Sequence, residues 1–494
     1  DPKKLSVTAP SPGVVFEDVI IMGSAVGEGD GSAPGHIRAY DVATGEIRWV
    51  FHTIPQPGEF GYDTWAPDSY KVNGGTNAWS GLSLDVDAGV VYAPLGSAAF
   101  DYYGANRPGN NLFANSLVAL DARTGERRWH YQTVHHDLWD TDLSTSPALV
   151  TIEHEGKAID VAVQPTKRGN MFVFDRTTGE PVFPVEEVPV AQGNVPGEWY
   201  SPTQPIPTAP PPFTRQEITA DDLIDFTPEL REAALEVLRS TRYQGPFTPT
   251  GTSPIYMMPG LNGGATWGGP SYDPETGLLY INAGEEGAKF KLVEISGDMR
   301  NRGEQLYLQY CAACHGIDRD GGLEDAPSLV NISERYSSGS LVTVELIMGG
   351  RGRMPGFAHL EFRDVFMIIE YLFGEGENGP DNAETVVTDE EPAGDAEENE
   401  RNFVFSGFDA LMTEDGIPIN APPWGSLTAI NMKTAEIAWK IPFGEYPHLA
   451  EKGFRNTGSE SRGGGVVTAG GLLFIAATPD DKIKAYDKAT GELL

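Results

Sequence analysis

A short pattern recurs five times along the chain and constrains the fold more than any other feature. Its clearest copies are Tyr40–Trp49 and Leu120–Trp129, which share an apolar strand end, an Asp-x-x-Thr-Gly turn and a second strand ending in Trp. Weaker copies lie at 174–180, 430–439 and 486–492. The pattern predicts a β-hairpin whose turn glycine adopts a positive φ, and in the copy at 430–439 an alanine stands at that position. A Trp at a fixed place can wedge between neighbouring sheets, so the repeats predict the blades of a β-propeller.

The spacing between these copies is uneven, which predicts long loops and about five blades or part-blades. Apolar runs at 14–22, 90–95 and 472–477 supply further strands, and the Pro-rich run 202–213 predicts a loop. Thr227-Pro228-Glu229 predicts a helix start, with a capping residue, a first-turn proline and an early acid. The chain stops inside its last repeat, so we expect it to be a fragment of a longer protein.

A second motif lies inside the repeat array. Cys311-Ala312-Ala313-Cys314-His315 contains the only two cysteines, and its Cys-x-x-Cys-His spacing is the attachment signal of a c-type haem. Two thioether bonds and the adjacent imidazole would hold one covalent haem. A disulfide or a redox Cys-x-x-Cys needs no following histidine, and zinc needs further ligands nearby.

The haem iron would need a second axial ligand, and Met354 in Gly-Arg-Met-Pro-Gly is the predicted one. A His/Met pair suits electron transfer because it raises the potential. Alternatively, Met354 could be a packing residue of the apolar core, but Arg351 and Arg353 on either side argue against burial in such a core. Met348 and His359 are the reserve candidates.

Short helices are predicted on both sides of the motif and its methionine loop. Residues 303–310 read as one helix, and apolar residues from 362 to 372 repeat at helical spacing. We therefore expect a mainly β fold, a propeller with an inserted all-α cytochrome c-like domain. The expected divisions are propeller at 1–292, haem domain at 293–374, an acidic linker at 375–401 and propeller again at 402–494.

Charge and hydropathy limit the partners. The net charge of −36 argues against nucleic acid or anionic membrane surfaces. Eleven acids and no Lys or Arg lie in 375–400, which predicts a solvated linker or a face for a basic electron-transfer partner. No apolar run reaches the roughly 18 residues needed to span a bilayer. Because covalent haem attachment takes place outside the cytoplasm, we expect a bacterial periplasmic location, with any membrane association made by parts absent from this chain.

The densest cluster of titratable groups is Val134-His135-His136-Asp137-Leu138-Trp139-Asp140-Thr141-Asp142-Leu143. An ionised Asp in such a cluster can take the hydroxyl proton while hydride leaves the carbon of an alcohol. His/Asp clusters also form zinc sites, and an acidic turn can be held together by its own backbone bonds.

Three segments carry a family resemblance: residues 135–143, Lys167-Arg168-Gly169-Asn170 with 172–176, and Gly74–Trp79. They resemble quinoprotein dehydrogenases, eight-bladed propellers that bind pyrroloquinoline quinone (PQQ). The likeness covers nearly the whole propeller portion. It is strongest to the membrane-type glucose dehydrogenase branch, which shares the His-His-Asp-Leu-Trp-Asp run and the Pro-Pro-Trp-Gly stretch at 422–425.

The resemblance implies roles for single residues. Asp140 matches the catalytic base, with Asp137 and Asp142 as alternatives. Lys167 matches the lysine that hydrogen-bonds the quinone oxygens, although it could also be a surface turn lysine. Trp79 matches the indole floor under the flat cofactor, where stacking is favourable, although by itself it could be a blade-packing residue.

The resemblance also implies a divalent cation, usually calcium, that polarises the quinone. Glu28 matches the acidic ligand position. The Asn ligands of the two branches would fall near Ser97 and near Ser406, and both are missing. Metal binding is therefore less firmly implied than quinone binding.

These features together predict PQQ-dependent oxidation of a CH–OH substrate, with electrons passed to the haem. Sugars, polyols and simple alcohols all fit as substrates, and an external quinone or soluble cytochrome fits as electron acceptor. A non-enzymatic electron-transfer cytochrome on a propeller scaffold is the alternative function. A propeller of the outer-membrane assembly scaffold type has similar repeats but no reason to carry Cys-x-x-Cys-His.

Overall fold

The first three sheets of the fold carry the first three repeats. A computed structural model describes residues 7–29, 32–294, 302–321, 326–332, 335, 341–357, 360, 362–373, 403–406 and 409–494. The antiparallel sheets pair in the orders β1-β2-β3-β4, β5-β6-β7-β8 and β11-β10-β9. Their strands are β1 (Val14–Phe16), β2 (Val19–Met22), β3 (Ile37–Asp41), β4 (Ile47–Phe51), β5 (Ser83–Asp85), β6 (Val90–Pro94), β7 (Ser116–Asp121), β8 (Arg127–Gln132), β9 (Ala148–His154), β10 (Lys157–Pro165) and β11 (Met171–Asp175).

The middle of the chain supplies shorter strands. They are β12 (Val185–Pro189), β13 (Thr203–Pro207), β14 (Ile255–Met257), β15 (Ser271–Asp273), β16 (Leu278–Gly284), β17 (Ala288–Phe290), β18 (Leu292–Glu294), β19 (Phe403–Phe405) and β20 (Asp409–Ala410). Strand β13 pairs with β12, so the prediction of a loop throughout 202–213 is wrong. Thr203 to Pro207 pair at the edge of a two-stranded ribbon, a place where proline is tolerated in a strand.

Two further sheets complete the series. They use β21 (Gly425–Asn431), β22 (Glu436–Pro442), β23 (Val466–Val467), β24 (Leu472–Ile475) and β25 (Lys484–Asp487). The orders are β15-β16-β21-β22 and β23-β24-β25. Because β16 pairs directly with β21, the segment between them is an insertion within one sheet.

Helices lie mainly in the connections and the insertion. They are α1 (Ser69–Val72), α2 (Pro228–Arg239), α3 (Arg302–Tyr310), α4 (Ala312–His315), α5 (Leu341–Gly349), α6 (Phe362–Phe373) and α7 (Pro447–Glu451), with 3-10 helices at Tyr62–Thr64 and Ala220–Asp222. The predicted cap is confirmed, since the Thr227 hydroxyl accepts from the Leu230 amide at 3.2 Å. In the described part of the chain, no helix has the length and apolar character to cross a bilayer.

The repeat tryptophans join successive repeats as predicted. The indole nitrogens of Trp49, Trp129 and Trp439 donate to the carbonyl oxygens of Ala122, Arg176 and Lys488 at 3.2, 2.9 and 3.3 Å. Each acceptor belongs to the Asp-x-x-Thr-Gly turn of the following repeat. The turn glycine of that repeat, Gly125, Gly179 or Gly491, lies directly against the indole.

This packing predicts a large effect for Gly125→Ala. The φ of Gly125 is +74°, and an added Cβ would lie 2.5 Å from Trp49 Cε3. Positive-φ strain and overpacking together should lower the free energy of unfolding by about 2–4 kcal/mol. Gly45→Ala is the matched control, because its φ is +75° and the space around it is open. Urea unfolding of Gly45→Ala should show a free energy of unfolding lower by about 1 kcal/mol. Equal losses for both variants would contradict the packing argument.

Candidate active site

The site is built on the loop that follows β8. His136 and Asp140 adopt φ values of +45° and +53°, a left-handed conformation that non-glycine residues rarely take. Asp137 anchors the loop from within and is 1% exposed. Its carboxylate accepts four hydrogen bonds: from Ser97 Oγ at 2.5 Å, Thr141 N at 2.7 Å, Asn115 Nδ2 at 2.9 Å and Trp139 N at 3.0 Å.

Asp140 and Lys167, which the sequence predicts as functional partners, are in contact. Lys167 Nζ lies 2.9 Å from Asp140 Oδ1 and 3.1 Å from the Asp140 carbonyl oxygen. Tyr102 donates its hydroxyl to Asp140 Oδ2 at 3.3 Å. The two charged side chains are only 11% and 12% exposed, so little water screens their interaction.

Burial and neighbouring charges shift both titrations. Burial raises the pKa of Asp140 well above its usual range, Lys167 opposes this shift, and Asp142 and Glu28 add to it. Burial disfavours the ammonium of Lys167, but Asp140 and Asp142 outweigh that effect and raise its pKa. The lysine therefore stays charged, while the carboxylate is a stronger base than a solvated Asp once it has lost its proton.

Trp79 joins this group through Asp142. The indole Nε1 donates to Asp142 Oδ2 at 2.8 Å, and Lys167 Nζ lies 3.7 Å from the same oxygen. Trp267 stands edge-on to Trp79 with ring centroids 5.4 Å apart, and it is 53% exposed. A half-buried indole and an exposed one near an ammonium fit a flat, anionic cofactor. Sequence reasoning missed Trp267, although its Gly-Gly-Ala-Thr-Trp context resembles the context of Trp79.

Glu28 is exposed to solvent at the edge of the same group. Partial desolvation of its carboxylate by the surrounding protein raises its pKa, Asp142 adds to the shift and Lys167 opposes it. Among the described residues, no three His, Cys, Asp or Glu side chains converge as a metal site. The serine near the missing Asn position, Ser97, is engaged by Asp137 and Asp142. The divalent cation therefore stays a prediction, and Lys167 supplies the positive charge beside Asp140.

The haem-attachment motif has the local geometry that its prediction requires. Cys311 and Cys314 are free thiols, and His315 is 8% exposed. His315 Nδ1 lies 2.9 Å from the Pro327 carbonyl oxygen and donates to it, which leaves the Nε2 lone pair for iron. Burial raises the pKa of Cys314 to about 11, and the Glu28 carboxylate adds to that shift.

Met354 and Met348 both pack, half-buried, against the apolar cluster that contains Cys311. Met354 lies in a tight turn closed by paired backbone bonds with Arg351 at 3.0 and 3.1 Å. The other reserve candidate, His359, lies outside the described residues.

Met354→Ala tests which methionine meets the iron. Loss of the thioether should shift the haem spectrum toward high spin and lower the midpoint potential. Met348→Ala is the matched control, since it removes a methionine from the same cluster and should leave both readings unchanged. The reverse pattern would transfer the ligand role to Met348, and two unchanged spectra would transfer it to His359.

A two-stranded ribbon joins the haem domain to the propeller. In β19, Phe403 and Phe405 pack into an apolar cluster of the propeller, while Val404 between them packs into the haem-domain cluster. Leu292 and Val293 in β18 divide in the same way. This alternation buries both faces of the ribbon. Ala313 of the attachment motif packs against the propeller cluster that contains Tyr102, so the haem helix and the Asp140 site share a wall.

Comparison with known families agrees with this architecture. Residues 1–311 and 367–494 match the PQQ family described as glucose/ethanol/alcohol dehydrogenase, β-propeller domain. The chain belongs to this family. Residues 298–372 match the cytochrome c oxidase, cbb3-type, subunit III family, which confirms a cytochrome domain inserted in the PQQ propeller. The predicted fold class is therefore confirmed.

The chain matches only part of the length of each individual relative of this PQQ propeller. The glycerol dehydrogenase large subunit of Gluconobacter oxydans is 30% identical over 100% of this chain and 57% of its own. Quinate/shikimate dehydrogenase (quinone) of Acinetobacter baylyi is 30% identical over 93% of this chain and 48% of its own. The chain thus spans about half the length of these relatives. The structure of quinohemoprotein alcohol dehydrogenase from Comamonas testosteroni shares the fold, with a TM-score of 0.56, 21% identity, and coverage of 99% of this chain and 52% of its own.

Proposed function

We propose that this protein oxidises a CH–OH substrate with PQQ and passes the electrons to one covalent haem c on the inserted domain. The observation that carries the proposal is the contact between Asp140 and Lys167 beside Trp79, in a wall that also contacts the haem-attachment motif. A base, a fixed ammonium and an indole face are the parts that such a reaction needs. We further propose the divisions 1–292, 293–374, 375–401 and 402–494.

Each residue has a defined role in this proposal. Bound PQQ supplies a hydride acceptor, and bound haem supplies a one-electron carrier. Asp140 takes the substrate hydroxyl proton, because its raised pKa makes it an effective base. Lys167 would hold the quinone oxygens, and its charge would favour the anionic, reduced form of the cofactor. Trp79 offers its ring face, with its orientation fixed by Asp142. His315 through Nε2 and Met354 through its thioether sulfur would hold the haem iron.

We propose sugars, polyols and simple alcohols as the substrate class, and an external quinone or soluble cytochrome as the final acceptor. The names of the relatives, which include glycerol and quinate/shikimate, support polyhydroxylated substrates. We place the protein in the bacterial periplasm, because haem attachment to Cys-x-x-Cys-His takes place outside the cytoplasm. Calcium remains the proposed cation, with Glu28 as its candidate ligand.

Spectroscopy of the haem tests the proposal directly. The protein is loaded with PQQ and calcium, and glycerol, glucose, quinate or ethanol is added without any external acceptor. Haem reduction should require both PQQ and one of these substrates. Lys167→Ala should weaken PQQ binding, measured by quenching of Trp fluorescence, and should slow haem reduction. A haem that stays oxidised with bound quinone and every substrate would favour the non-enzymatic electron-transfer cytochrome.

A further inference from the structure

The side chain of Tyr102 contacts two parts of the molecule that the proposed reaction must connect. Its hydroxyl lies 3.3 Å from Asp140 Oδ2. Its ring stacks on Phe405 with centroids 3.9 Å apart and an interplanar angle of 13°. Both side chains are buried, at 3% and 1% exposure. One residue therefore contacts the predicted base and the ribbon that carries the haem domain.

The surrounding rings give Tyr102 a single orientation. Phe290 stands edge-on to Tyr102 at 5.5 Å and to Phe405 at 5.4 Å, which closes a three-ring cluster. The backbone is also held, because Thr250 Oγ1 donates to the Tyr102 carbonyl oxygen at 3.3 Å. A ring packed on two sides keeps its hydroxyl directed at Asp140.

The two oxygens of Asp140 have different partners. Lys167 takes Oδ1, while the tyrosine hydroxyl donates to Oδ2. The charges that oppose Lys167 at Asp140 are carboxylates: Asp142 and Glu28 raise the pKa of Asp140, and Asp140 in turn helps to raise the pKa of buried Asp101. A hydroxyl that donates to the ionised carboxylate favours the ionised form against this repulsion.

We propose that Tyr102 is a positioning residue. Its hydroxyl fixes Asp140, and its ring connects Asp140 to the ribbon that joins the haem domain to the propeller. The catalytic meaning of this inference rests on the proposed function, but the contact itself does not. Tyr102 thereby holds the base and the haem-attachment wall in one fixed relation. Sequence reasoning could not find this residue, because nothing in Phe100-Asp101-Tyr102-Tyr103 separates the two tyrosines.

The neighbouring tyrosine provides a matched control for the hydroxyl. Tyr103 is 5% exposed, but its hydroxyl donates to the Pro196 carbonyl oxygen at 3.2 Å and its ring tilts against Phe403. In the PQQ-free protein, the infrared carboxyl band that Asp140→Asn removes should titrate about one pH unit higher in Tyr102→Phe. Tyr103→Phe should leave the band where it is in the wild type. In the PQQ-loaded enzyme, the acid limb of the pH–rate profile should move to higher pH in Tyr102→Phe and not in Tyr103→Phe.

The ring contact of Tyr102 is tested separately by Phe405→Leu. This variant removes the stack between Phe405 and Tyr102 and keeps the contact between the Tyr102 hydroxyl and Asp140. Amide exchange at 292–294 and 403–405 should become up to about tenfold faster, and haem reduction by substrate should slow. Identical titrations in Tyr102→Phe and Tyr103→Phe, or unchanged ribbon exchange in Phe405→Leu, overturn the proposal. A protein that oxidises no alcohol refutes the proposed function alone, because the infrared and exchange readings do not depend on turnover.

Discussion

Asp140→Asn is expected to lower turnover by about 10²–10⁴-fold, the usual worth of a positioned base, while PQQ binding survives. Asparagine keeps the shape of the side chain and an acceptor oxygen for Lys167, but it cannot take the hydroxyl proton. Single-turnover haem reduction by substrate measures the loss, and quenching of Trp fluorescence measures binding. Direct chemical reduction of the haem should be unaffected, since the haem domain has its own apolar core and its own proposed ligands.

The pH dependence gives a second reading of the same variant. Burial raises the pKa of Asp140, so the ionised fraction, and with it the rate, should rise with pH through a value above the ordinary carboxyl range. The residual rate of Asp140→Asn should lack this limb. Asp121→Asn is a matched control, because Asn431 already occupies the equivalent turn position in the fourth repeat. Near-normal turnover in Asp140→Asn would move the base to Asp137 or Asp142.

The parts of the fold that follow from local chemistry could be predicted from the sequence. The Asp-x-x-Thr-Gly turn is closed by contacts within five residues, as when Asp121 Oδ1 accepts from the Arg123 and Thr124 amides. The Cys-x-x-Cys-His spacing and the helix cap at Thr227 are equally local. These features need no tertiary information, and the structure contains all of them.

Roles that depend on distant contacts could not be predicted in this way. Tyr102 and Trp267 gain their places from rings and loops far along the chain. Strand β13 forms because β12 offers it a partner, which overrides its proline content. The three acids of the 135–143 loop look alike in sequence. They separate only when Ser97 and Asn115 reach Asp137 while Lys167 reaches Asp140.

Because the contacts of Asp137 differ from those of Asp140, substitution of Asp137 is expected to lower stability, whereas substitution of Asp140 is expected to lower turnover. Asp137→Ala should lower the free energy of unfolding by about 3–5 kcal/mol, because it leaves four buried donors without their acceptor. Arg107 is fully buried and donates to the Asp137 carbonyl oxygen at 2.7 Å, so the backbone there cannot relax easily toward water. Urea unfolding of the haem-loaded, PQQ-free protein measures this effect without any turnover.

Asp18→Ala serves as the comparison for that loss, since the Asp18 side chain is 65% exposed and forms an ion pair with the half-exposed Arg48. Asp18→Ala should change the free energy of unfolding by no more than about 1 kcal/mol. Asp140→Asn should lose less stability than Asp137→Ala, because asparagine keeps an acceptor oxygen for Lys167 and the ammonium still lies 3.7 Å from Asp142 Oδ2. An Asp137→Ala protein with normal stability but no turnover would make Asp137 the base. In that case the four donors would poise a reactive carboxylate, and the Asp140–Lys167 contact would lose its catalytic meaning.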